Sequence, residues 1–227
     1  VLSDLPHWYQ KTLQLDNFQA FECNVKNMKP IIGFFGSLSV GKSTLINTIV
    51  GKNILPTSPL PATKILNLLT HADNKPSYIN GSVGIFKKEF KPIMLFDQTL
   101  TQEYLIEAGD YSILNKLGVH WEIGNQDAYI AMIFVDAEIL RHVWFLDTPG
   151  NLGNDTNDTE RSLEGLKYTD AIVFVSSQLN FLKSSDLGLL TQILRSNPPL
   201  FKDKPLDHVL IIQSHCHSEI GNSDANT

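Results

Sequence analysis

The 227 residues carry 18 Lys and Arg against 24 Asp and Glu, a formal net charge of −6, so the basic footprint of a nucleic-acid-binding protein is missing. With 42% hydrophobic and 19% charged residues, the composition is that of one large folded domain and excludes disorder as the main state. Two cysteines, Cys23 and Cys216, cannot build a disulfide framework and fit a reducing, cytoplasmic setting. No uncharged apolar run reaches the ~18 residues of a membrane span, so membrane contact is expected to be peripheral or made by segments outside these residues.

In chain order, Leu2, Leu5, Trp8, Tyr9, Leu13 and Phe18 recur at helical spacing and predict an amphipathic helix in an N-terminal lead-in, residues 1–29. Ile31, Ile32, Phe34 and Phe35, bounded by Pro30 and Gly36, predict a buried strand; Leu45, Ile46 and Ile49 predict a helix face that ends at Gly51. Further strands are expected over the apolar runs Lys64 to Leu69, Tyr129 to Val135, Val143 to Leu146, Ala171 to Val175 and Val209 to Ile212. Helical patterns cover Glu160 to Tyr168 and Leu187 to Leu194. This alternation predicts an α/β domain over residues 30–227, with a mostly parallel sheet covered by helices on both faces. The stretch from Leu95 to Glu122 lacks a strand pattern, is expected to hold a helix from Thr101 to Ala108, and reads as an insertion.

Gly36-Ser37-Leu38-Ser39-Val40-Gly41-Lys42-Ser43 fits G-x-x-x-x-G-K-[ST], a pattern met by chance in a chain of this length on the order of 1% of the time. It lies between a strand and a helix, where backbone N–H groups and a helix N-terminus cradle phosphates. Lys42 is expected on the β and γ phosphates and Ser43 on Mg2+. Asp147-Thr148-Pro149-Gly150 follows the strand Val143 to Leu146 directly. Asp147 is thereby expected at the carboxyl end of a core strand beside the loop, holding a water on Mg2+, with the Gly150 N–H near the γ-phosphate. The polar segment Asn151 to Asp155 suits a nucleotide switch. His215-Cys216-His217 invites a metal reading, but adjacent residues on an extended chain point alternately and no second ligand pair accompanies them.

Gly36 to Thr44, Leu45-Ile46-Asn47, Gly51 to Pro56 and Pro61-Ala62-Thr63 together resemble the GTPase domain of dynamin-related proteins, nearest to the bacterial dynamin-like branch and its LeoA-type members. The resemblance runs from about residue 30 to 215. It implies the P-loop NTPase fold and Mg2+-dependent binding and hydrolysis of GTP to GDP. It also implies a homodimer through the nucleotide face and coupling to membrane remodelling through regions outside this chain, with the G domain truncated at its C-terminal end. By the same resemblance Thr63 is the switch threonine on Mg2+, and Ser39, Thr63 and Gly150 act in catalysis. The nucleotide is held by Gly36, Ser37, Leu38, Ser39, Val40, Gly41, Lys42, Ser43 and Thr44, and Mg2+ by Ser43, Thr63 and Asp147.

Two positions depart from the family pattern. Leucine stands at 38, where many dynamins place a polar residue that positions the attacking water, and leucine neither donates nor accepts a hydrogen bond. Gln213-Ser214-His215-Cys216 occupies the place of the base-reading [TN]-K-x-D motif, which leaves Gln213 and Ser214 as candidate base contacts. These departures keep two alternatives open: a nucleotide-regulated interaction module with little hydrolysis, and a P-loop ATPase with relaxed base choice.

Overall fold

The computed structural model describes residues 28–57, 65–119, 127–150, 156–178, 181–196 and 207–214. The expected N-terminal helix lies outside them, as do Thr63, Asn151 to Asp155 and everything beyond Ser214.

Eight strands form one sheet: β1 (Ile31–Phe35), β2 (Leu66–His71), β3 (Val83–Lys87), β4 (Leu105–Gly109), β5 (Ala128–Val135), β6 (Trp144–Asp147), β7 (Ala171–Ser177) and β8 (Val209–Ser214). Their order is β4-β3-β5-β2-β6-β1-β7-β8. The pairings β6·β1, β1·β7, β7·β8 and β2·β5 are parallel, as the alternation of strands and helices requires. The pairings β2·β6, β3·β5 and β3·β4 are antiparallel, so the parallel majority is joined to a reversed half.

Strand alternation splits the core between two faces. Phe34, Phe145, Val173 and Val175 turn toward α1 (Lys42–Val50), whose Ile46 and Val50 meet them; Ile113 and Leu114 of α3 (Ser112–Val119) join this cluster. On the opposite face Phe86, Ile130, Met132 and Trp144 pack with α2 (Gln98–Tyr104) and the 3-10 turn Pro92–Phe96. Phe35, Ile172 and Phe174 on that face meet Leu189 and Ile193 of α5 (Ser184–Ser196), while α4 (Thr156–Gly165) leads into Leu166 of the same cluster. Helices therefore cover both faces.

The stretch from Leu95 to Glu122 corrects its reading from sequence. The expected helix is shifted, running from Gln98 to Tyr104, and Leu105–Gly109 then forms an edge strand rather than continuing it. Asp97 accepts the Leu100 N–H at 3.0 Å and caps the helix, which sets its earlier start. Val83–Lys87, which carried no strand expectation, inserts between β4 and β5.

Asn47 governs how the chain leaves α1. Buried to 6% exposure, its carboxamide donates to Asn53 Oδ1 (3.1 Å) and the Leu55 carbonyl (2.9 Å) and accepts from the N–H groups of Ile54 (3.1 Å) and Leu55 (2.9 Å). One side chain thus fastens the loop that precedes residues 58–64. Asn47→Ala leaves these groups without partners and should lower unfolding free energy by about 2 to 4 kcal/mol in urea denaturation. A loss under about 1 kcal/mol would show that the loop is held by other contacts.

Candidate functional site

The carboxyl ends of β6, β1, β7 and β8 lie along one edge of the sheet, and the motif residues gather there. The loop after β1 turns at Gly36, with φ of 150°; a Cβ at this position would stand 2.2 Å from the Val175 carbonyl oxygen of β7. Close approach of backbone to backbone therefore demands glycine. Ser39 (φ 57°) and Gly41 (φ 92°) adopt left-handed backbone on the way to α1. Gly41 caps α1 with no side-chain hydrogen bond, which leaves first-turn N–H groups available to an anion. Val40 turns its side chain into the core, so only its backbone can serve a ligand, whereas Ser39 and Thr44 are exposed.

Lys42, at the start of α1, is 6% exposed, and its ammonium donates to the carbonyls of Gly36 (3.0 Å) and Ser37 (3.1 Å). Desolvation lowers its pKa to about 8, although the charge of Asp147 pulls the other way. Asp147, at the end of β6, is fully buried, and burial pushes its carboxyl up to about 6 against Lys42 and hydrogen bonds from Ser43 and Asn67. Ser43 donates to Asp147 Oδ2 at 2.8 Å, whereas Asp147 Oδ1 is buried with no hydrogen-bond partner. The Ser43 hydroxyl and that carboxylate oxygen are hard donors of the kind Mg2+ takes, so these residues fit the cation that the sequence implies.

Thr148 donates to the Phe34 carbonyl at 2.7 Å and ties the Asp147–Gly150 segment to β1. Ser162 of α4 reaches back to the Pro149 carbonyl at 2.8 Å. A Cβ on Gly150 would lie 2.7 Å from Leu38 Cα and 3.0 Å from its Cδ1, which brings this segment against the phosphate loop. Leu38 is half-buried there. Gln213 and Ser214 end β8 beside Ser176 and Ser177 of β7, and the Ser214 hydroxyl donates to the Ser176 carbonyl at 3.3 Å. Thr63 lies outside the described residues, so its place relative to Ser43 and Asp147 is not part of this geometry.

Two supporting residues escaped the sequence reading. Asp186, buried in the first turn of α5, accepts from Ser37 of the phosphate loop at 2.6 Å and from Ser176 of β7 at 2.7 Å. In sequence it looks like an ordinary acidic residue at a helix start. Asn67 stands opposite Asp147 in the β2·β6 ladder, and an asparagine within an apolar strand is the signal that could have marked it.

Comparison with known proteins places this geometry. The profile described as the Dynamin family matches residues 32–201. Isoniazid-induced protein IniC of Mycobacterium tuberculosis is 28% identical over 182 residues, covering 71% of this chain and 30% of that protein. Dynamin-like protein 2 of Campylobacter jejuni is 27% identical over 157 residues, 68% of this chain and 22% of the relative. The chain thus spans less than a third of the length of these relatives. A solved structure described as an oligomerised bacterial dynamin pair matches with a TM-score of 0.53 at 18% identity, over 93% of this chain and 30% of that one, a likeness of fold.

The buried ammonium gives a pH-dependent prediction. A lysine whose pKa is lowered on folding costs stability while it is protonated in both states, and the cost disappears as pH rises from about 8 toward the unfolded value of 10.5. Lys42→Met should therefore unfold with a free energy higher than wild type below pH 8, by on the order of 2 kcal/mol, and the gap should close by pH 10.5. A gap independent of pH would place the gain in packing rather than in the charge.

Proposed function

The chain belongs to the dynamin family, and from that premise we propose that residues 30–227 form its Mg2+-dependent GTP-binding and GTP-hydrolysing domain, with residues 1–29 as lead-in. The observation that carries the reading is that Lys42, at the start of α1, and Asp147, at the end of β6, are both buried at one site, with Ser43 donating to the aspartate. In this reading Lys42 exchanges the Gly36 and Ser37 carbonyls for the β and γ phosphates, which are better acceptors for an ammonium. Backbone N–H groups from Ser37 to Thr44 cradle the phosphates. The Ser43 and Thr63 hydroxyls would hold Mg2+ directly and Asp147 through water. Bound there, Mg2+ supplies charge neutralisation to the phosphates. Ser39 and the Gly150 N–H serve the γ-phosphate side, and Gln213 and Ser214 contact the base.

The wider role belongs to the same proposal: a homodimer through the nucleotide face, and peripheral attachment that couples the nucleotide cycle to membrane remodelling through regions outside this chain. Support comes from the solved bacterial dynamin pair, whose description names oligomerisation and the sensing and tethering of membranes. Among the described residues no helix is long and apolar enough to cross a membrane.

Leu38 favours a second reading. Its side chain packs at Gly150 and offers no polar atom to a water, which suits a nucleotide-dependent interaction module with little turnover.

Calorimetric titration with GTP, GDP and ATP, with and without Mg2+, tests nucleotide identity and metal dependence. Wild type should bind GTP more tightly with Mg2+, and Lys42→Met should lose GTP affinity by at least about 100-fold. Unchanged affinity in that variant would sink the site assignment, and equal affinity for ATP would favour the ATPase alternative. Leu38→Gln should raise the single-turnover rate about tenfold, the effect of ~1.4 kcal/mol on the barrier. No increase in a variant that still binds GTP would mean that another group places the water.

A further inference from the structure

Asp147 Oδ1 is not the only oxygen left without a partner at the end of β6. The Oδ1 of Asn67 is also buried and unpaired, in a residue only 4% exposed. The two residues are cross-strand partners in the antiparallel β2·β6 ladder, so their side chains leave the sheet side by side on the same face. That face is the one covered by α1: Phe145, two residues before Asp147, and Leu69, two residues after Asn67, both pack in the α1 cluster. Ser43 approaches from α1 and takes the other carboxylate oxygen.

An unpaired buried carbonyl costs about 1 to 3 kcal/mol, and an apolar residue at this position, between Leu66 and Leu68, would avoid the cost. Asparagine here is therefore a local loss that a ligand would recover. Both unpaired atoms are acceptors, so an anion does not fit between them. Their match is a donor with two hydrogens, which is what an ordered water in a cation's hydration shell presents.

We propose that Asn67 is a positioning residue that shares with Asp147 the hydration shell of the nucleotide-bound Mg2+, its Oδ1 accepting from that water while its amide steadies the aspartate. The inference rests on the GTP-binding reading above. In this role Asn67 touches neither phosphate nor base, so its removal acts on metal-dependent affinity and spares binding of the metal-free nucleotide.

The experiment measures GDP and GTP affinity in wild type, Asn67→Leu and Asn67→Asp, each in EDTA and across a Mg2+ titration, with thermal unfolding of each apo protein alongside. Asn67→Leu should match wild type in EDTA and weaken the Mg2+ affinity of the nucleotide complex by about tenfold or more. Asn67→Asp, which keeps an acceptor and adds charge, should hold or tighten it. A Mg2+ affinity in Asn67→Leu equal to wild type overturns the proposal, and so does equal weakening in both variants, the sign of a merely structural residue. Should Asn67→Leu not fold, Asn67→Ala takes its place: weakened Mg2+ affinity with EDTA affinity kept supports the proposal, and Mg2+ affinity equal to wild type overturns it. Wild type that binds no nucleotide, or binds it with no response to Mg2+, refutes the GTP-binding reading itself, a result distinct from either variant outcome.

Discussion

A lysine ammonium and an aspartate carboxylate stripped of water beside each other set the terms for the structure around them. Desolvation of an isolated ion costs several kcal/mol, and mutual attraction repays it only where hydrogen bonds satisfy what remains. Here the repayment is incomplete, since burial still moves Lys42 and Asp147 toward their neutral forms against each other's charge. Two loop carbonyls take N–H groups of Lys42, and the Ser43 hydroxyl takes one oxygen of Asp147. What stays unpaired at the end of β6 is Asp147 Oδ1 and, across the ladder, Asn67 Oδ1. In the proposed GTP-binding reading, phosphates would meet the ammonium and the hydration shell of Mg2+ would meet the oxygens.

The sheet's change of direction decides which residues can join this site. Along β6, β1, β7 and β8 all strands run the same way, and only their carboxyl ends reach the loop. β2 runs against β6, so the second residue of β2, rather than one at its end, lies opposite Asp147. That reversal brings Asn67 and the chain entering β2 to the edge where the parallel strands finish. Asn47 fixes the same chain at its other end, where it leaves α1.

The parallel half was legible in sequence because its strands are apolar runs closed by motifs whose residue types have one chemical use. Gly36 to Ser43 and Asp147 to Gly150 told where β1 and β6 had to end before any packing was known. The antiparallel half offered no such marks. Val83-Gly84-Ile85-Phe86-Lys87 contains a glycine and is too short to show a period, yet it is almost wholly buried between β4 and β5. Leu105 to Gly109 carries Glu and Ala, residues at home in a helix, and becomes a strand because its ladder with β3 outweighs that preference. Asp186 and Asn67 were hidden for a different reason: each matters through a partner more than 70 residues away, Ser37 and Asp147 respectively, and single-sequence spacing cannot see such pairs.

The phosphate loop is held from behind by the buried carboxylate of Asp186. Asp186 accepts from Ser37 and from Ser176, and Ser176 in turn accepts the Leu182 N–H at 2.9 Å, so one carboxylate welds the loop to β7 and α5. The Asp147–Gly150 segment is tied differently, through Thr148 to β1 and through Ser162 to α4. α4 is in turn latched to the far half of the sheet, where Glu164 accepts from the Tyr129 hydroxyl and pairs with Lys88 at 3.0 Å. The two segments meet where Gly150 lies against Leu38, a contact so close that any side chain at 150 would strike the Leu38 backbone. Among the described residues the Asp147–Gly150 segment is thus anchored to β1 and to α4, and α4 to β5, so in the proposed GTP-binding reading a shift of Gly150 would bear on α4.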